Sequence, residues 1–157
     1  ATYRLDIVLS DEPAPASGNL KTFNHLLVEC GVSFCAEPKL AARLRRRFPA
    51  SLHDAPALLP SASSALRRSL EKWFQEHRIS PRLIAEFDDA ALMKVAASDG
   101  LGSFAVPSLV ANEAVTRYGL KIIGHAPRCS QKFYAISAER RLTHPAVVAI
   151  TAHAQDG

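Results

Sequence analysis

Residues 82–107 read RLIAEFDDAALMKVAASDGLGSFAVP. The apolar run at 82–87 predicts a short strand. Asp88 or Asp89 then caps a helix that reaches Ser98, since a carboxylate is favoured at the positive end of a helix. Gly100 and Gly102 make a turn, and residues 103–106 form a second strand. Pro107 opens a further helix to about Tyr118, with Gly119 just past it as a C-cap. Strand, helix, strand, helix at this spacing predicts an α/β fold with helical crossovers.

The pattern continues outward on both sides. Upstream, residues 57–59 form a short apolar strand, and 61–64 a polar turn. Ser64 caps a helix at 65–77 with Leu66, Leu70, Trp73 or Phe74, and His77 on one face. Residues 5–9 read as a strand covered on both faces, followed by a loop over 11–18. Residues 23–30 and 32–36 read as two strands with Gly31 as a bend between them. Pro38 starts a helix to about Phe48. Downstream, 120–123 is a strand closed by Gly124, 132–137 is another, and Pro145 starts a last helix to about 153. The strands around 57–59, 82–87, 103–106 and 120–123 with their helices look like one self-contained unit. The pieces 1–29 and 125–157 flank it and neither is a sensible domain alone, so the chain reads as two-lobed with crossings expected at Cys30-Gly31 and Gly124-His125, where a glycine absorbs a backbone change.

The chain has 157 residues, 48% hydrophobic and 22% charged. That is near one domain's worth of sequence with globular composition, which argues against disorder. No apolar run approaches the ~18 residues of a membrane span. The first residues show no export signal, so the expected compartment is cytoplasmic. The net charge of +4 is mild. Arg43, Arg45, Arg46 and Arg47, with Arg67 and Arg68, are either a solvated face or a phosphate-contacting patch. Cys30, Cys35 and Cys129 are odd in number and have no zinc or thioredoxin spacing, which fits buried thiols in a reducing compartment. The six histidines form no metal motif. No cofactor and no catalytic residue is expected. There is no nucleophile elbow, no phosphate loop and no dinucleotide fingerprint; Gly100-Leu101-Gly102 follows a helix and precedes a strand, the reverse of that fingerprint.

Ligands of open α/β sheets sit beyond the carboxyl ends of strands. The residues placed there are the candidate effector-binding set: Ser61, Ser64, Asp88, Asp89, Phe104, Val106 and Pro107. Glu86, Asp88 and Asp89 are either a cation site or a strand end plus a helix cap.

Certain segments have a familiar look. Tyr3 to Asp11, Glu29-Cys30-Gly31-Val32-Ser33-Phe34, Leu58-Leu59-Pro60-Ser61 ahead of Leu66-Arg67-Arg68, and Trp73-Phe74 resemble the effector-binding domain of LysR-type transcriptional regulators. Glu86 to Lys94, and Ala138-Glu139-Arg140 with His144-Pro145-Ala146-Val147, are similar to a narrower subgroup, the activators of sodium/proton antiport. The resemblance covers nearly the whole chain.

It implies a periplasmic-binding-protein-like, two-lobed effector domain, with the second lobe (32–124) complete, the first (1–31 and 125–157) truncated, and the winged helix-turn-helix DNA-binding domain absent from this chain. It implies a small effector or cation as ligand, sodium, lithium or alkaline stress as the signal, DNA as partner of the parent protein, and a homodimer or tetramer. Helix 65–77 is then expected to leave Arg67, Arg68 or Trp73 exposed for a partner, because Leu66, Leu70 and Trp73 could not all face the core. A solute-binding protein of the same architecture is the alternative.

Overall fold

The computed structural model describes residues 7–15 and 21–138. The tail helix expected at 145–153, the start of the first strand and the likeness beyond Ala138 lie outside those residues. The chain divides into two compact units: residues 1–29 with 132–157, and Cys30–Gln131.

In the smaller unit, β1 (Ile7–Ser10) pairs antiparallel with the end of β6 (Lys121–Ser137), Ile7 opposite Ser137 and Ser10 opposite Tyr134. Asn24, early in β2 (Phe23–Ala36), accepts a hydrogen bond from the Ala14 amide at 2.8 Å and ties down the loop after β1.

The larger unit has three layers. In its sheet, β3 (Pro56–Pro60) runs parallel to β4 (Arg82–Phe87). A parallel bridge between Ala57 and Ser103 links β3 to the start of β5 (Phe104–Pro107). The Leu58 amide donates to Ser103 O at 2.7 Å, and the Ser103 amide to Pro56 O at 2.9 Å. β5 pairs antiparallel with β2, Val32 opposite Pro107 and Cys35 opposite Phe104, and β6 lies on the other side of β2.

Strand alternation then sorts the two faces. Val32, Phe34 and Ala36 point to a core with α1 (Pro38–Arg45) and α2 (Ala65–Glu76); Cys35, Leu58, Phe104 and Val106 point to a core with α3 (Ala90–Ser98) and α4 (Ala111–Tyr118). Pro38 sits in the first turn of α1, and Glu37 caps it by accepting from the Leu40 amide at 2.6 Å. Ser64 caps α2 and Asp89 caps α3, while Gly119, at φ +65°, ends α4 in the left-handed region.

The structure differs from the sequence reading in several places. β2 runs unbroken through Gly31, and β6 through Gly124. Both glycines sit where another group presses close. A Cβ on Gly124 would lie 2.5 Å from the Phe48 ring, and one on Gly31 would lie 3.1 Å from Pro127 Cα. The chain needs a missing side chain there, not a bend. Pro107 closes β5, and a 3-10 turn at Ser108–Val110 precedes α4. α1 stops at Arg45, and Arg47 turns the chain at φ +62°. The units divide after Glu29 and Gln131, where the sequence reading divides them after 31 and 124. Residues 125–131 stay with the larger unit because Ala126 and Cys129 are in its core. Finally, Leu66, Leu70 and Trp73 do all face the core, with Trp73 only 4% exposed. A twelve-residue helix has room for this row and for an exposed Arg68 on the opposite side.

Candidate functional site

Parallel β3, β4 and β5 bring their carboxyl ends to one edge of the larger unit's sheet. The loops that follow β3 and β4 are joined directly. The Ser61 amide donates to Phe87 O at 3.0 Å, and the Ser64 amide donates to Ser61 O at 3.0 Å. Ser61 and Asp88 therefore lie on adjacent loops. Ser61 and Ser63 hydroxyls stand 3.4 Å apart. The Ser64 hydroxyl is engaged, accepting from the Arg67 amide at 3.0 Å.

Arg67 locks this edge. Its guanidinium donates to Pro60 O at 2.9 Å, to Glu71 at 2.7 Å and to Glu86 at 2.9 Å. The hydrogen bond to Glu71 raises its pKa; partial burial opposes this, and Glu86 adds to it. One planar cation thus ties the end of β3 to β4 and to its own helix. Arg67 is a clamp here, and Arg45 is pinned to Ile122 O at 2.9 Å, while Arg43, Arg46 and Arg47 are exposed.

The acidic group is likewise employed. Glu86 pairs with Arg67, and Asp89 accepts from the amides of Ala91 and Leu92 at 2.7 and 3.2 Å as the cap of α3. Asp88 is exposed. Among the described residues no group of three or more His, Cys, Asp or Glu is placed to hold a metal ion. Phe104 and Val106 are 1% and 4% exposed, in the core beneath α3 and α4. They support the edge from below, and Pro107 stands at its rim.

Next to Pro107 is a polar chain that no sequence motif announces. Ser33 Oγ lies 2.7 Å from Ser108 Oγ and 2.7 Å from His125 Nδ1. Ser33 is wholly buried, and its hydroxyl joins Ser108 to His125. The signal available in the sequence is one serine inside the apolar run Val32-Ser33-Phe34-Cys35, since a buried hydroxyl requires a partner. Of the hinge candidates, Cys30 and Gly31 open the larger unit, and Gly124 and His125 lie inside β6, ahead of its division at Gln131.

A cavity of about 380 Å³ opens elsewhere in the same unit, lined by Phe48, Pro49, Trp73, His77 and residues 125–128. His125 belongs both to this lining and to the Ser33 chain.

The LysR substrate binding domain family matches residues 1–157. The transcriptional activator protein NhaR of Escherichia coli (strain K12) is 34% identical over 146 residues, which is 92% of this chain and 47% of that protein; the Shigella flexneri protein of the same name matches equally. The chain spans about half the length of these curated relatives. The effector domain of the regulator AmpR of Pseudomonas aeruginosa superposes with a TM-score of 0.62 at 18% identity, covering 96% of this chain and 71% of that one. The regulatory domain of Synechocystis PCC6803 CcmR, solved in complex with 2-PG, gives 0.61 at 14% identity, covering 96% and 72%. At these identities the likeness to the two structures concerns the fold. Among the described residues no helix is long and apolar enough to cross a membrane.

Proposed function

This chain belongs to the LysR substrate-binding domain family, and we propose that it is the effector-sensing part of a LysR-type transcriptional activator of the NhaR kind. The observation that carries this reading is the strand-end edge, where Ser61 and Ser63 place hydroxyls beyond the end of β3 and Ser108 beyond the end of β5. Such edges are where open α/β sheets hold small ligands. A regulatory domain of the same fold was solved with the small ligand 2-PG.

Because Glu86 and Asp89 are already engaged, we assign effector contact to the hydroxyls and not to a carboxylate cage. The signal in the cell is then sodium, lithium or alkaline stress, acting on or through a small ligand at this edge. DNA is held by a helix-turn-helix segment outside residues 1–157, in a cytoplasmic dimer or tetramer. The hinge falls where the two units divide, at Cys30-Gly31 on β2 and about Gln131 on β6. Effector binding favours one arrangement of the protein and shifts the population toward it. The role is binding and not catalysis.

The test is thermal unfolding at constant ionic strength with sodium, lithium, magnesium and a panel of small carboxylates. A true effector at a hundredfold excess over its Kd adds about 2.7 kcal/mol, or ~5–10 °C in a chain of this size. Ser108→Ala lowers that gain. A melting temperature that no member of the panel raises, or a gain that Ser61→Ala and Ser108→Ala both leave intact, counts against the edge as the effector site.

A further inference from the structure

We propose that the larger unit carries a second ligand site, separate from the strand-end edge: the cavity between Phe48, Trp73, His77 and residues 125–128, built for a flat aromatic carboxylate. The site stands on its own residues, whether or not the edge is the effector site. Its volume of about 380 Å³ is in the range of small-molecule sites, ~300–1,000 Å³.

The walls favour a flat body. Phe48 and Trp73 are inclined by only 27° with ring centroids 6.5 Å apart. His77 lies over Trp73 at 4.4 Å and 33°. The Phe48 ring is set in place from behind by the bare backbone of Gly124, which leaves it no room to retreat. Pro49 and Pro127 add further rigid apolar surface. Trp73 is buried among Phe34, Phe48 and His77 and forms the floor, so the rings left for an aromatic guest to stack on are the half-buried Phe48 and the exposed His77.

The polar groups favour an anion. None of the eight lining residues is acidic, and Arg128, His77 and His125 are all basic. Arg128 is exposed and makes no ion pair among the described residues. Its planar fork matches a carboxylate. His77 Nδ1 is 2.9 Å from Trp73 O. A carbonyl can only accept, so this nitrogen carries the proton, Nε2 of the neutral ring is an acceptor, and the anion is left to Arg128 and His125. His125 Nδ1 is held by Ser33, which leaves its Nε2 for a guest.

This last bond connects the cavity to the edge. When His125 Nε2 donates to a carboxylate, the neutral ring must accept at Nδ1. Ser33 then donates to His125, and Ser108 must donate to Ser33, because Ser33 has one proton. A guest in the cavity therefore fixes the direction of the hydroxyl chain that ends beside Pro107.

Trp73 is the one tryptophan of the chain, so its indole N–H gives a single cross-peak in the ¹H–¹⁵N spectrum of the intact protein. Titration with cinnamate should move that peak saturably. Cinnamamide, which keeps the flat body without the charge, should bind at least about tenfold more weakly, and so should cinnamate on Arg128→Gln, given the usual strength of a charge-assisted pair. Acetate should not move the peak. Ser61→Ala, at the edge, should bind cinnamate unchanged. An indole peak that stays fixed at millimolar cinnamate overturns the proposal. So does equal binding by cinnamamide, or by Arg128→Gln, and loss of binding in Ser61→Ala would place the guest at the edge instead.

Discussion

Cys35 and Cys129 are both nearly sealed from solvent, and burial pushes each thiol up from 9.0 to about 11. Lys94 pulls slightly against this at Cys35, whereas Glu76 adds to it at Cys129. A thiol whose pKa is higher in the folded state holds its proton better there than in the unfolded chain. Its contribution is complete below pH 9 and is lost as pH rises toward 11, so urea midpoints should fall over that interval. Changing both residues to Ser or Ala would flatten the fall. In the native protein a thiol reagent should modify Cys30, which is half-buried, well before the other two. At this scale much was legible beforehand. Ser64, Asp89 and Gly119 are recognised by chemistry contained in three or four neighbouring residues, and each is found capping the helix expected of it.

Among the elements, α2 is held to the sheet by one side chain more than by any other polar contact described. Removing it in Arg67→Ala frees Glu71 and Glu86 to water but leaves Pro60 O without its donor. Both carboxylates are about half exposed, so the ionic part is heavily screened and the expected loss is about 1–2 kcal/mol in a denaturant titration. Arg67→Lys should recover only a fraction, because a point charge cannot reach three acceptors with fork geometry. Strand β4 and helices α2 and α3 were readable because caps and turns punctuate them. β2 and β6 were not: Gly31 and Gly124 look like breakers in one dimension, and their reason is the approach of Pro127 and Phe48 from elsewhere in the chain. The same limit applies to the site. Strand ends can be read from local pattern, whereas the partners of Ser33 come from positions 108 and 125, and the cavity joins positions 48, 73, 77 and 125–128.

For the molecule as a whole, two long strands, β2 and β6, run from the three-layer unit into the smaller one, and Phe48 over Gly124 bears on how those strands stay aligned. Backbone bonding alone is nearly indifferent to sliding one strand past its neighbour by two residues, since every side chain keeps its face. A strand of seventeen residues therefore needs a stop. The phenyl ring resting on Gly124 is a detent: a two-residue slide would bring Ile122 or Ala126 beneath the ring, and neither fits where a single Cβ would already collide. Gly124→Ala should cost about 1–3 kcal/mol through this overpacking. In a Phe48→Ala background the same change should be close to neutral, and a double-mutant cycle measures the difference. Mechanical alignment of β6 and the shape of the aromatic cavity thus depend on one ring, so a substitution that loosens the notch should also misplace His125 against Ser33, leaving the protein folded but out of adjustment.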